Sequence, residues 1–309
     1  MSDPATPGPT GAVPREVLRQ VRLIELRTRG WVDSLFSGEY QSVFKGQGIE
    51  FAEVRAYQHG DEIRAIDWNV TARTAHPHVK KHVEERELTV LLVVDLSGSE
   101  QYGSRGRMKA ELAAEVAAVL ALSAVRNNDR VGLLLFTDRV EHLVPPKKGK
   151  RHVLRLIRDV LVFEPERAGT DIAGALDYAG RLLRHRSIVF LLSDFQIPVG
   201  EQTRAFERGA RVLARRHDVV ALEIIDPGER DLPEAGLLLL EDPETGQVVP
   251  VDTGAAALRA RFAGDVASRR EELRRRLRRL AIDRVEIRTD ASWVGPLLGF
   301  FRRRERRRG

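Results

Sequence analysis

Leu91-Leu92-Val93-Val94-Asp95-Leu96-Ser97-Gly98-Ser99 decides the reading of this chain. An unbroken apolar run ends in a carboxylate, and two hydroxyls follow at alternate positions. A strand buried on both faces reads as a continuous Val/Leu run, the mark of a parallel sheet covered by helices on each side. Open α/β sheets place their ligands beyond the carboxyl ends of such strands. The loop here offers one charged and two neutral oxygens, with Gly98 permitting a tight turn. An all-oxygen donor set of this kind suits a hard divalent cation, Mg²⁺ or Mn²⁺.

Matching pieces lie downstream. Gly169-Thr170-Asp171 precedes a helical stretch, and Ser187-Ile188-Val189-Phe190-Leu191-Leu192-Ser193-Asp194 is a second apolar strand ending in a carboxylate. Asp95, Ser97, Ser99, Thr170 and Asp194 together resemble the metal-ion-dependent adhesion site of von Willebrand factor A domains, in that family's order. Intervals of roughly seventy and roughly twenty-five residues fit the βα units that must separate the three pieces. Two carboxylates balance a +2 ion, and hydroxyls fill positions without adding charge. With Asp194, and Asp95 as well, held through water, the ion stays electrophilic. One octahedral position then stays open to an Asp or Glu of a partner protein. Such a site binds and has no evident means of catalysis. Asp171 reads as the N-cap of its helix rather than a ligand.

Periodicity predicts strands over 88–95, 131–137, 140–144, 188–194, 219–225 and 284–288. Helices are predicted over 107–127, 152–161, 171–184, 201–216, 253–280 and 295–308. The pair 131–137 and 140–144 supplies an antiparallel edge. Segments 237–241 and 247–251 flank Asp242-Pro243-Glu244-Thr245-Gly246, a turn signal that reads as an inserted hairpin. The expected architecture is a doubly wound, mostly parallel α/β sheet. An N-terminal accessory segment of short strands and a helix precedes it. The expected divisions are a disordered 1–14, an accessory segment 15–86, the main domain 87–301 and a basic tail 302–309. Spacing over 13–29 is helical; 48–81 reads as short strands and turns rather than one helix.

The 309 residues are 42% apolar, ample for one large core with an accessory part. The absence of Cys excludes a disulfide framework and thiolate metal sites. Residues 1–14 carry no basic-then-apolar leader, and no apolar run reaches membrane-spanning length, so a soluble cytoplasmic protein is expected. The net charge of +6 is local: residues 269–279 and 302–308 each carry a net +5, which leaves −4 elsewhere. These runs read either as a solvated helix face with a frayed tail, or as a patch for nucleic acid or another acidic surface. They lack interleaved aromatics and any RNA-binding motif, so nucleic acid is the lesser alternative.

A phosphate-ester hydrolase of the haloacid dehalogenase type also begins with a strand-end Asp. It needs a second carboxylate two residues on, where Ser97 stands. Leu96-Ser97-Gly98-Ser99-Glu100 is not a Gly-x-Ser-x-Gly elbow, and no phosphate-binding Gly-x-x-x-x-Gly-Lys loop occurs. His76, His78 and His82 match no common zinc spacing. No catalytic residues are expected.

The string from Gly48-Ile49-Glu50-Phe51-Ala52-Glu53-Val54-Arg55-Ala56-Tyr57 through Gly60-Asp61, Arg64-Ala65-Ile66-Asp67-Trp68, Thr71-Ala72-Arg73, Pro77-His78-Val79-Lys80 and Glu84-Glu85-Arg86-Glu87 narrows the reading. Together with the metal strand it resembles the bacterial "domain of unknown function" family numbered fifty-eight, over roughly 35–225. That resemblance implies a von Willebrand factor A-like fold and a non-enzymatic role beside MoxR-type AAA+ ATPases, as adaptor or co-chaperone. It also implies the shorter, soluble branch, since many relatives carry membrane helices. Glu100 departs from the Met that many relatives have there; it either strengthens cation capture or competes with a partner's carboxylate. Arg64, Asp67, Trp68 and Arg73 either pin the accessory segment to the sheet or form a docking surface for the ATPase.

Overall fold

The strands, in chain order, are β1 (Glu50–Ala56), β2 (His78–Val83), β3 (Thr89–Asp95), β4 (Arg130–Phe136), β5 (Val140–Lys147), β6 (Ile188–Ser193), β7 (Asp218–Ile225), β8 (Leu237–Glu241), β9 (Val248–Asp252) and β10 (Asp283–Arg288). The helices are α1 (Trp68–Thr74), α2 (Lys109–Arg126), α3 (Lys150–Val162), α4 (Ile172–Leu182), α5 (Glu201–Arg216), α6 (Ala256–Arg279) and α7 (Val294–Arg306). The computed structural model describes residues 19, 21–26, 50–58, 61, 66–74, 76–83, 87–104 and 107–307. The expected disorder over 1–14 and the irregular stretch 34–45 lie outside the described residues.

Six strands form one sheet in the order β10-β7-β6-β3-β4-β5. Every pairing in it is parallel except β4 with β5, the antiparallel edge that the sequence predicts. β3 lies in the interior of this sheet, so its Val90–Asp95 run is buried on both faces. Alternation sends Leu91 and Val93 to one side, where they share a cluster with Ile172, Leu176, Phe206, Leu213, Leu273 and Leu277 of α4, α5 and α6. On the other side α2 packs against β3, β4 and β7, and α3 packs on α2. Helices therefore cover both faces, and the sheet is doubly wound.

Chain direction places a switch point between β3 and β6. From β3 the chain winds one way to β4; it then returns across β3 to form β6 and continues to β7 and β10. The loops after β3 and β6 leave their neighbouring strand ends on opposite faces. Between them they open the crevice where α/β sheets hold ligands.

Residues 44–88 form their own compact unit. Within it β1 and β2 pair antiparallel, with an irregularity between Phe51 and Glu53. The seven-residue α1 was not legible as a helix in the sequence, because two turns are too short to show an apolar period. Its start is fixed by Asp67, whose Oδ1 accepts from the backbone N–H of Asn69 (3.0 Å) and Val70 (3.3 Å). Asp67 is thus a helix cap. Trp68 is 66% exposed; Arg64 lies outside the described residues. The His78 ring nitrogen Nδ1 is 2.7 Å from the His76 carbonyl and 3.1 Å from Thr74 Oγ1, a local bonding pattern rather than a metal ligand set.

The basic end is knitted by ion pairs. Leu273 and Leu277 are the buried residues of α6, one turn apart, and they turn its arginines outward. Arg270 and Arg284 share the buried Glu223. Arg270 also meets Glu286 at 2.7 Å, and Arg276 meets Glu207 at 3.3 Å and Glu272 at 3.2 Å. On α7, Arg304 bridges Asp218 and Asp283.

Candidate metal centre

Asp95 closes β3 and is fully buried. The parallel register that sets Val94 against Leu192 brings Ser193 opposite Asp95. Ser193 Oγ donates to Asp95 Oδ2 at 2.7 Å, and the Ser97 backbone N–H donates to Oδ1 at 2.9 Å. A single 3₁₀ turn, Gly98–Gln101, follows. It places the Ser97 and Ser99 hydroxyls 3.2 Å apart, both buried, and folds Glu100 back into the sheet end, where it is wholly buried.

Glu100 joins the loops after β3 and β6. Its Oε1 accepts from the Asp194 backbone N–H at 2.9 Å. Its Oε2 is buried without a hydrogen-bond partner among the described residues. One carboxylate oxygen from each of Asp95, Glu100 and Asp194 lies within 4.8 Å of the other two. Asp194 is otherwise engaged: Oδ1 accepts from the Gln196 backbone N–H at 3.0 Å, and Oδ2 from Lys109 Nζ at 2.6 Å. Lys109, from the first turn of α2, is wholly buried and also donates to Glu229 Oε1 at 2.6 Å.

Thr170 arrives on a third loop. The Gly98 N–H donates to the Ala168 carbonyl at 2.7 Å, and the Asp171 N–H to the Thr137 carbonyl at 2.8 Å, which ties this loop to the ends of β3 and β4. Asp171 caps α4 through the Gly174 N–H at 3.0 Å, as its sequence context predicts. Thr170 Oγ1 donates to Glu244 Oε1, at the tip of the β8–β9 hairpin, at 2.7 Å. Beside them a small cavity of about 70 Å³ is lined by Thr170, Gln196, Pro198, Phe206 and Glu244. It is far below the several hundred cubic ångströms of a metabolite pocket.

Asp95, Ser97, Ser99 and Asp194, named from the sequence, therefore share one end of the sheet, and Thr170 sits on a loop bonded to theirs. Ser193, Lys109, Glu229 and Glu244 were not anticipated. Only Ser193 had a sequence signal: it is the register partner of Asp95. Lys109 sits in a charged helix start that reads as surface.

The electrostatics show an excess of negative charge. Burial, then the charge of Asp194, pushes the Asp95 carboxyl up to about 7, against hydrogen bonds from Ser193 and Ser97. Burial and Asp194 likewise hold Glu100 well above the usual carboxylate range, with Lys109 opposing. Burial disfavours the Lys109 charge, but Asp194, Glu100 and Glu229 outweigh it and raise the ammonium. One ammonium thus faces four carboxylates in a region of low dielectric. An orphaned carboxylate oxygen, paired hydroxyls and uncompensated charge fit a hard divalent cation. Asp95, Ser97, Ser99 and Glu100 would hold it, with Thr170 and Asp194 alongside. The ion would supply a Lewis-acidic position for a further oxygen ligand.

The family described as "Protein of unknown function DUF58" matches residues 53–272. "Uncharacterized protein Rv1480" of Mycobacterium tuberculosis is 34% identical over 288 residues, 93% of this chain and 89% of that protein. "Uncharacterized protein YeaD" of Bacillus subtilis is 25% identical over 111 residues, 36% of this chain and 26% of that protein. Among solved structures, the chain is similar to the conserved hypothetical protein BatB of Bacteroides thetaiotaomicron, at 16% identity and a TM-score of 0.45, over 71% of this chain and 99% of that one. It is also similar to a von Willebrand factor type A protein of Catenulispora acidiphila, at 13% identity and a TM-score of 0.43, over 72% of this chain and 44% of that one.

Proposed function

For this chain, which belongs to the DUF58 family, we propose a non-enzymatic, divalent-cation-dependent protein-interaction module. Asp95, Ser97, Ser99, Thr170 and Asp194, with Glu100 added, hold Mg²⁺ or Mn²⁺ at the switch point of the sheet. An Asp or Glu of a partner reaches the ion from outside. The observation that carries this reading is the buried, partnerless Oε2 of Glu100 among the Asp95 and Asp194 carboxylates. A buried charge without compensation is costly, and a cation at that point compensates it. The small cavity favours capture of a single carboxylate over binding of a metabolite.

The partner we propose, following the family resemblance, is a MoxR-type AAA+ ATPase, for which this chain acts as adaptor or co-chaperone in the cytoplasm. No described helix is long and apolar enough to cross a membrane. The nucleic-acid alternative is weakened by its own arginines, since Arg270, Arg276 and Arg304 are spent on intramolecular carboxylates.

Titration calorimetry with Mn²⁺ tests the cation, and capture of a MoxR-type ATPase with Mg²⁺ or with chelator tests the contact. Asp95→Ala is expected to weaken Mn²⁺ binding about 100-fold and to match the chelated wild type in capture. No uptake of divalent ion by the wild type rejects the centre. Equal capture in Mg²⁺, in chelator and by Asp95→Ala rejects the metal's part in the contact.

A further inference from the structure

The β8–β9 hairpin has an unusual attachment. None of its strand residues is buried, and Leu237 and Leu239 are more than two-thirds exposed. An isolated two-stranded ribbon is marginal in water, so its position rests on its ends. At the base, Thr253 Oγ1 donates to the Gly236 carbonyl at 2.7 Å, and Arg259 donates to the carbonyls of Thr253 and Gly254. At the tip, Asp242 Oδ1 accepts from the Glu244 N–H at 2.9 Å and the Thr245 N–H at 3.3 Å, which stiffens the turn.

That stiff tip lies on the cation loop. A Cβ at Gly98 would fall 2.2 Å from the Pro243 carbonyl oxygen, so only glycine allows the two backbones to meet. One residue on, Glu244 accepts the Thr170 hydroxyl at 2.7 Å. Its carboxyl also feels Asp194 and Lys109 across the crevice.

We propose that Glu244 is a resident carboxylate ligand of the cation, delivered by the β8–β9 hairpin into the position that a partner's Asp or Glu would take. This rests on the cation reading above and adds its regulation. The hairpin tip closes the centre in the lone protein, and a partner carboxylate binds by displacing Glu244. The weakly buried ribbon can swing on its base, while the Asp242 turn keeps the tip rigid as it moves.

Mn²⁺ uptake and water-proton relaxation separate the two readings. Glu244→Gln keeps the size of the side chain and the hydrogen bond from Thr170 while removing the charge. Glu244→Ala removes both; the position is partly exposed, and both variants are expected to fold. The variants are expected to bind Mn²⁺ about tenfold more weakly and to gain one exchangeable water on the bound ion. Acetate, the carboxylate probe, should remove that extra water from Glu244→Ala and leave the wild type unchanged. Uptake by the wild type, with the same affinity and water count in both variants, overturns the hairpin ligand and leaves the cation site standing. No Mn²⁺ uptake by the wild type overturns both.

Discussion

The two most charged regions of the molecule are built on opposite plans. At the basic end, Glu223 sits buried between Arg270 and Arg284, and Arg304 between Asp218 and Asp283, so each charge meets its opposite inside the chain. At the carboxyl end of β3 and β6, Asp95, Glu100, Asp194 and Glu229 have one ammonium, Lys109, and a carboxylate oxygen is left without a partner. The first arrangement pairs acid with base across elements and acts as scaffold. The second is incomplete and has capacity for a cation. Thirteen arginines in two short runs make the basic end the loudest signal in the sequence, yet loud composition marks structure here, and sparse, scattered oxygens mark the site.

The sharpest test of that contrast is Glu223→Gln. Removing this carboxylate leaves Arg270 and Arg284, each about one-fifth exposed, with the more exposed Glu286 as their remaining shared partner. Breaking a buried pair by deleting one member costs several kcal/mol, and partial solvation of both guanidinium groups brings the expected loss to about 2 kcal/mol. Chemical denaturation measures it, and Mn²⁺ affinity in the same variant should be unchanged. A fall in Mn²⁺ affinity would mean that the two regions are coupled and the contrast is wrong.

What the sequence made legible follows from how local each signal is. The β3 run and the β6 run are continuous Val/Leu strands ending in Asp, so both the parallel sheet and the Asp95–Asp194 pairing could be read from single stretches. Asp171 declared itself as a cap because capping is decided within three residues. Lys109 did not, since its burial depends on Asp194 and Glu229, which stand 85 and 120 positions away. Glu244 was read as part of a turn, which is correct, but its contact with Thr170 spans 74 positions. The arginine runs read as a solvated helix face, but their ion pairs stayed hidden for the same reason: the partners Asp218, Glu223 and Asp283 lie on other elements.

A second test uses pH. The folded Asp95 carboxyl is raised to about 7 from an ordinary 3.8, so the cation-free fold binds this proton more tightly than the unfolded chain does. Its stabilising contribution is present in acid and is lost as pH rises through that window, because the unfolded state ionises first. A divalent cation replaces the proton and should restore the loss. The rise in Tm on adding Mg²⁺ is therefore expected to be larger at pH 8 than at pH 5, by about 5 °C. An equal rise at both values would mean that the ion does not bind where Asp95 titrates. The basic end predicts no such difference: burial raises its Glu223 carboxyl too, but that titration is the same with and without Mg²⁺.

The smallest expected effect concerns the arginines that the contrast leaves over. Arg274, Arg275 and Arg278 lie on the exposed face of α6; the first two meet only Glu271 and Glu272 of their own helix, at 3.5 and 3.4 Å. Exposed pairs of this kind contribute a few tenths of a kcal/mol, and Gln keeps the helix propensity. Replacing all three by Gln should change stability by less than about 0.5 kcal/mol. It should also leave capture of the ATPase intact in Mg²⁺. The same triple variant measures what the net charge is for. If it abolishes capture, or removes a steeply salt-dependent affinity for RNA, the basic face is a binding surface and the contrast with the acidic crevice fails.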